Sequence, residues 1–282
     1  MEQTIHKSMP TPDGSWVTLD VYGDAHAPGL VVVPGVMSDA RAWRRVARAI
    51  RVWPSVTVVN RRGRTPSGPL TDAYSLRTEI EDILTVLDDS AGAQALFGWS
   101  YGGLIALMAA NERPFRQVIA YEPVIGPFGR SALSALQAAA RDRDWDRSVE
   151  IVNTHISGFS QDYVGALRAD QRGWSTLRRL SEPLHTELAA LDDAPNPDAL
   201  ARHAERVDLI VGEMNVGTAP YGSSFEDVRR LIDGAGVEGP CVEGPCVGAP
   251  CVHTRVLPGQ GHLAHVQAPA LLGRCLDELA GR

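Results

Sequence analysis

Ala95-Leu96-Phe97-Gly98-Trp99-Ser100-Tyr101-Gly102-Gly103-Leu104-Ile105-Ala106-Leu107-Met108-Ala109-Ala110 is the stretch on which the reading of this 282-residue chain turns. The short apolar run Ala95 to Phe97 reads as a buried strand, and the Ala/Leu/Met-rich run after Ser100 reads as a helix. Between them stands Gly98-x-Ser100-x-Gly102. A nucleophilic serine on a sharp strand-to-helix turn sits in crowded, strained backbone, and small residues two positions to either side relieve the crowding. The turn pushes the hydroxyl out of the sheet, and the new helix aims its first amides at any negative charge that develops there. A lone Gly-x-Ser-x-Gly is weak; strand before and helix after is the context that gives it meaning.

Outward from this turn, the first half alternates strand-like and helix-like runs. Residues 3 to 22 read as two strands joined by Pro10-Thr11-Pro12-Asp13-Gly14, a strong turn signal. Gly29 to Val33 is a continuous β-branched run of the kind found in a central parallel strand, followed by Pro34-Gly35-Val36-Met37-Ser38-Asp39 and a helix from Ala40 to Arg51. Val56 to Val59 is another buried strand, with the loop Asn60 to Gly68 after it. Ser75 caps a helix with Ile80, Ile83, Leu84 and Leu87 on one face. After the serine helix, Gln117 to Tyr121 resumes the sheet and stops at Glu122-Pro123. Such alternation predicts a parallel sheet covered on both faces, with ligands at the carboxyl ends of its strands. The loops starting at Pro34, Asn60, Gly98 and Glu122 therefore face one crevice.

From Gly126 to Ala204 strand-like runs vanish, and helical stretches are broken at Gly158, Gly173, Pro183 and Ala194 to Pro197. This section reads as a helical cap, so the expected organisation is a core over 1–126, a cap over 127–205 and the rest of the core over 206–282. Val207 to Gly212 returns to the sheet, a helix follows near Ser224 to Asp233, and Thr254 to Leu257 is the last strand before Gly259-Gln260-Gly261-His262 and a closing helix over Ala268 to Ala280. Three of the four cysteines, Cys241, Cys246 and Cys251, fall in a five-residue unit repeated three times, Glu-Gly-Pro-Cys-Val twice and Gly-Ala-Pro-Cys-Val once. Repeated Gly-Pro cannot hold a helix or a central strand, so 238–252 reads as an expanded surface loop rather than a metal site. Cys275 reads as a small buried apolar residue in the last helix.

Composition excludes several classes. With 44% hydrophobic and 22% charged residues and a net charge of −7, nucleic acid and anionic membrane are poor partners. No apolar run approaches a membrane span, and Met1 to Lys7 lacks the layout of a signal peptide, which leaves a cytoplasmic protein as the expectation.

Val33-Pro34-Gly35-Val36, Gly63-Arg64-Thr65-Pro66-Ser67, Gly98-Trp99-Ser100-Tyr101-Gly102, Tyr121-Glu122-Pro123 and Gly259-Gln260-Gly261-His262 together resemble an α/β-hydrolase over essentially the whole length. The likeness is to capped esterase and lactonase-type members. It implies an α/β fold with a mostly parallel central sheet, helices on both faces and an inserted helical cap.

A serine hydroxyl needs a base, and histidine suits that task near neutral pH. His262, in a Gly-rich turn after the last strand, has the best position of the eight histidines, with His265 the runner-up. The resemblance supplies the amides of Val36 and Tyr101 as an oxyanion hole. It fails at the third member. The family carries an Asp in a Gly-x-x-Asp context after the cap, whereas this chain has Gly212-Glu213-Met214-Asn215. Glu122, at the end of the strand after the serine helix, is the preferred acid, because some capped members carry theirs there; Glu213 is the alternative. Arg61, Arg62 and Arg64 are read as ties for their loop rather than as holders of an anionic substrate. Trp99, Phe128 and Trp174 are the candidate substrate contacts.

The expected activity is hydrolysis of a carboxylic ester or lactone of moderate size through an acyl-enzyme. No cofactor or metal is called for, the partner is the small-molecule substrate, and oligomeric state is not legible. A thioesterase, a carbon–carbon hydrolase or a cyclase would use the same site. A non-catalytic ligand-binding member, in which Asn215 marks a decayed triad, is the alternative from another class.

Overall fold

The computed structural model describes residues 4–90, 92–233 and 250–280. Eight strands form one sheet: β1 (Ile5–Pro10), β2 (Trp16–Gly23), β3 (Leu30–Val33), β4 (Ser55–Asn60), β5 (Ala95–Trp99), β6 (Phe115–Tyr121), β7 (Ala204–Gly212) and β8 (Cys251–Leu257). Their spatial order is β1-β2-β4-β3-β5-β6-β7-β8. The β1–β2 and β2–β4 pairs are antiparallel, and every pairing from β4 to β8 is parallel.

The central strands are buried on both faces, so their side chains alternate between two apolar layers rather than between core and water. In β3, Val31 and Val33 join one layer while Leu30 and Val32 join the other. In β5, Leu96 and Phe97 divide in the same way. Helices α1 (Ala40–Ala49), α10 (Ala264–Gln267) and α11 (Pro269–Ala280) cover one face, through Trp43 and Leu276 among others. Helices α2 (Leu76–Asp89), α3 (Tyr101–Ala109) and α9 (Tyr221–Asp233) cover the other, through Ile83, Leu104 and Phe225. Ser75 caps α2 in a reciprocal capping box with Thr78.

Between β6 and β7 lie α4 (Leu133–Asp142), α5 (Trp145–Ile151), a π-helical turn (Val152–Ile156), α6 (Gln161–Ala169), α7 (Gln171–Leu180) and α8 (Leu184–Asp193). Gly173, read as a helix break, instead lies inside α7; Asp170 caps that helix from just before it and the chain continues helical. The Gly-Pro-Cys loop falls mostly outside the described residues, with Cys241 and Cys246 among those not described. Its last part is corrected: Cys251 and Val252 already belong to β8, paired with Arg206 and Val207. Cys275 is buried in α11, as its apolar surroundings lead one to expect. Among the described residues no helix is long and apolar enough to cross a membrane.

Candidate active site

Ser100 sits in the turn between β5 and α3 with φ 57° and ψ −124°. A serine held there stores on the order of 1–3 kcal/mol of strain, and the surrounding packing must enforce it. The two flanking glycines are what let the turn close. A Cβ on Gly98 would meet the Gly102 carbonyl oxygen at 2.2 Å, and one on Gly102 would meet the Val33 carbonyl oxygen at 2.1 Å. The Ser100 amide donates to the Tyr121 carbonyl, which locks the turn onto the end of β6 (2.9 Å).

Directly after β6 stands Glu122, fully buried and with φ 40°. Its amide continues the sheet ladder to Ile210, while its carboxylate turns toward the last loop. There Glu122 Oε2 lies 2.7 Å from His262 Nδ1. Three further hydrogen bonds come from the β7 end: the Gly212 amide donates to Oε1 (2.8 Å), and the Asn215 side-chain amide donates to both oxygens (3.0 and 2.9 Å). A carboxylate has no proton to give, so Nδ1 carries the hydrogen and Nε2 keeps its lone pair. That tautomer is the one able to accept a proton.

His262 is held on three more sides. Its carbonyl accepts the Trp99 indole N–H (2.7 Å), and the Trp99 ring tilts against its own at 4.7 Å. Tyr221 stacks on the other face, with ring centroids 3.5 Å apart and planes 11° from parallel. The Tyr221 hydroxyl shares a hydrogen bond with Ser157 Oγ, just beyond the π-helical turn (2.8 Å). Burial pushes the His262 pKa below its ordinary value, and the hydrogen bond and charge of Glu122 offset only part of that. The imidazole is thus neutral at neutral pH.

Ser100 and His262 line one cavity of about 530 Å³ at the carboxyl end of the sheet. No direct hydrogen bond joins the two side chains among the described residues. Val36 also lines the cavity, and Tyr101 begins α3 directly after the serine. Most of the wall is apolar, including Met37, Val152, Ile156, Phe159 and Leu188, and the chain between β6 and β7 supplies more than half of the apolar lining residues.

Of the three aromatic residues expected to contact substrate, Trp99 and Phe128 line this cavity. Trp174 is a correction. It packs with Val149 and Val164 in a separate core within the inserted helices, its N–H donates to Asp146 (2.6 Å), and the Arg168 guanidinium lies 4.8 Å above its ring. An amphipathic helix buries its large aromatic inward, and here inward means toward neighbouring helices.

The alternative acid, Glu213, accepts the Gly259 amide at 2.7 Å and thereby ties the turn that precedes His262. The three arginines hold loops, as expected. Arg61 donates to the carbonyls of Pro34 and Gly35 (2.8 and 3.0 Å) and pairs with Glu79 and Glu187. Arg64 donates to the Ser38 carbonyl and to Glu187. Arg62 pairs with Asp82 and Asp13. Because Glu187 belongs to α8, the first two arginines also clamp the inserted helices to the loop that carries Val36.

Sequence reasoning did not find four contributors. Asn215 stands out in the sequence only as a missing acid, although its amide donates to both carboxylate oxygens of Glu122. Tyr221 and Ser157 carry no local signal, since their meeting is made by packing. His265, set aside as the runner-up base, forms part of the cavity wall.

The sequence matches the Alpha/beta hydrolase family over residues 30–273. No curated protein matches it. Among solved structures, the chain is similar to an α/β hydrolase from Sphaerobacter thermophilus DSM 20745, with 23% identity, a TM-score of 0.72, and 97% of this chain and 100% of that one covered. It is also similar to the esterase RhEst1 from Rhodococcus sp. ECU1013 (17% identity, TM-score 0.71, 98% of each chain). A third likeness is to the enol-lactonase from Burkholderia xenovorans LB400 (16% identity, TM-score 0.69, 98% of this chain and 100% of that one). At these identities the structural likenesses speak to fold alone, but the sequence match takes in the serine turn, the Glu122 strand and the His262 loop, and on it the chain belongs to the α/β-hydrolase family.

Proposed function

We propose that this protein is a serine hydrolase that cleaves an ester or lactone with a substantial apolar part, through an acyl-enzyme. The observation that carries the reading is the 2.7 Å contact between Glu122 and His262 Nδ1, at the wall of the cavity that Ser100 also lines. Ser100 Oγ attacks the carbonyl carbon while its proton passes to His262 Nε2. Glu122 holds the ring and stabilises the imidazolium that forms. The amides of Val36 and Tyr101 receive the negative charge of the tetrahedral intermediate. Collapse breaks the bond to the leaving alkoxide, which takes the proton back from His262 and departs as an alcohol. Water, deprotonated by the same histidine, then releases the acid.

The inserted helices act as a cap that supplies the apolar walls of the acyl or alcohol pocket. Nothing in this scheme calls for a cofactor, and the place of action is the cytoplasm.

Intact mass after exposure to a fluorophosphonate tests the reading on the natural protein, Ser100→Ala and Glu122→Gln. The expected outcome is rapid addition of one phosphonyl group, its loss in Ser100→Ala, and slow addition in folded Glu122→Gln. Equal labelling of Glu122→Gln and the natural protein would remove Glu122 from the mechanism. Absence of any adduct on the natural protein would favour a member that binds without turnover.

A further inference from the structure

His265 has no part in the scheme above, yet it is placed as though it had a task. It lies in α10, three residues beyond His262, buried to 3% exposure and part of the cavity wall. Its ring stacks on Trp43 (4.7 Å, planes 5° apart) and tilts against Trp99 at 4.3 Å. Neither ring nitrogen has a hydrogen-bond partner among the described residues; Nδ1 is sealed off, whereas Nε2 keeps open surface and is the nitrogen a molecule in the cavity can reach. The neighbouring donors are already committed, Trp43 to Ser38 Oγ and Trp99 to the His262 carbonyl. A buried, unpaired ring nitrogen is costly, and a phenylalanine would fill a slot between two indoles without that cost. What distinguishes a histidine here is a hydrogen bond that the protein itself does not satisfy.

The rest of the cavity limits what the partner can be. The charged residues of its lining, Asp170 and Arg172, are exposed, of opposite sign and close in sequence, so they set up little field in the interior. Burial and the neighbouring His262 push the His265 pKa down to about 3, so the ring recognises a dipole and not an anion.

We infer that His265 is a substrate-recognition residue, and that the cavity takes an uncharged, largely hydrocarbon molecule carrying one oxygen, beyond those of the scissile ester, that hydrogen-bonds this imidazole. The word ester rests on the hydrolase reading; the recognition does not. Because His265 follows His262 by less than one helical turn, the extra oxygen belongs within a few atoms of the reacting carbonyl.

The test uses binding to Ser100→Ala, which cannot turn over and leaves the pocket intact. Calorimetry compares methyl hexanoate with its 3-oxo, 4-oxo and 5-oxo counterparts. At least one oxo ester is expected to bind about tenfold more tightly than the plain ester, the scale of one neutral hydrogen bond. On the same background His265→Phe should erase that preference, so that the oxo ester and methyl hexanoate bind that variant alike, and His265→Gln should retain part of it. Should the aromatic replacement fail to fold, the ring-nitrogen NMR signals of His265 in Ser100→Ala serve instead. They should move on adding the preferred oxo ester and stay in place with the plain one. The inference is overturned if no oxo ester is preferred, or if the preference survives His265→Phe, or if the His265 signals respond equally to both. A failure of the hydrolase reading shows separately, as a Ser100 that does not take the phosphonate while the oxo preference persists.

Discussion

Two buried polar clusters stand at the same end of the sheet, and they are built on opposite principles. Around Arg61 and Arg64, two guanidinium groups face the two fully buried carboxylates of Glu79 and Glu187, and the remaining donors go to loop carbonyls. Charge is balanced within the cluster. Around Glu122 there is one carboxylate and no cation, and its partners are the Gly212 amide, the Asn215 side chain and a neutral imidazole. That cluster is one positive charge short at rest, and His262 is the group able to supply it by taking a proton. A balanced cluster resists change and holds shape; an unbalanced one beside a cavity is prepared for charge to arrive.

The largest effect is expected from removing the unbalanced charge. Glu122→Gln should lower kcat about 10⁴-fold, the scale set by the corresponding loss in a serine protease, with little change in the circular dichroism. Adding Asn215→Asp should restore part of the lost turnover, because it returns a carboxylate to the place where the family carries one. A double variant no faster than Glu122→Gln would mean that only the β6 position can reach His262.

Acid should separate the natural protein from His265→Gln. The folded-state pKa of His265 lies at about 3, well below its ordinary 6.5, so the unfolded chain takes up a proton that the folded one refuses. Stability conferred by a neutral buried histidine is therefore whole above about pH 6.5 and lost as pH falls toward 3. The loss is at most about 1.4 kcal/mol per pH unit. Urea unfolding of the two proteins between pH 7 and 4 should show the natural protein losing stability faster, and parallel curves would contradict the placement of His265. Over the same range kcat/KM should fall in acid as His262 is protonated, with a midpoint below the ordinary histidine value.

The balanced cluster should break in stability before it breaks in chemistry. Glu187→Gln leaves Arg61 and Arg64 short of a buried charge, and unfolding free energy should drop by about 3–5 kcal/mol. A folded variant at low temperature should still take the phosphonate. An equal loss of labelling would mean that the Pro34–Val36 loop depends on this clamp for its catalytic geometry.

The smallest expected effect is that of Ser157→Ala, which removes the hydroxyl joined to Tyr221 and leaves the stack on His262 in place. About 1 kcal/mol of stability and a few-fold change in kcat are the anticipated scale. A larger fall in kcat than in stability would show that the inserted helices help to aim the base.

The α/β sheet was legible because its strands are short apolar runs ended by Gly, Pro and Asn, and because a strained serine turn needs glycines at fixed offsets. Those are local demands, set by covalent geometry and hydrophobic periodicity. Ser100, His262 and Glu122 were legible as candidates for the same reason: each closes an element at a turn. Trp174 packs among the inserted helices and not on the cavity, a difference the sequence hides because an apolar helix face gives no sign of whether it will meet a cavity or another helix. Asn215 looked like a loss, since an amide in an acid's place carries no meaning until a carboxylate is seen 93 residues away in sequence accepting its N–H groups.

By itself, then, the sequence determined the order of strands and helices, the serine turn and the residue types available at the crevice. Tertiary structure alone decided that Glu122 reaches His262, that Tyr221 covers it, and that His265 lines the cavity with a ring nitrogen unpaired. Local propensity acts over a few residues, whereas these contacts join residues 41 and 140 positions apart and exist only once the sheet has brought its strand ends together.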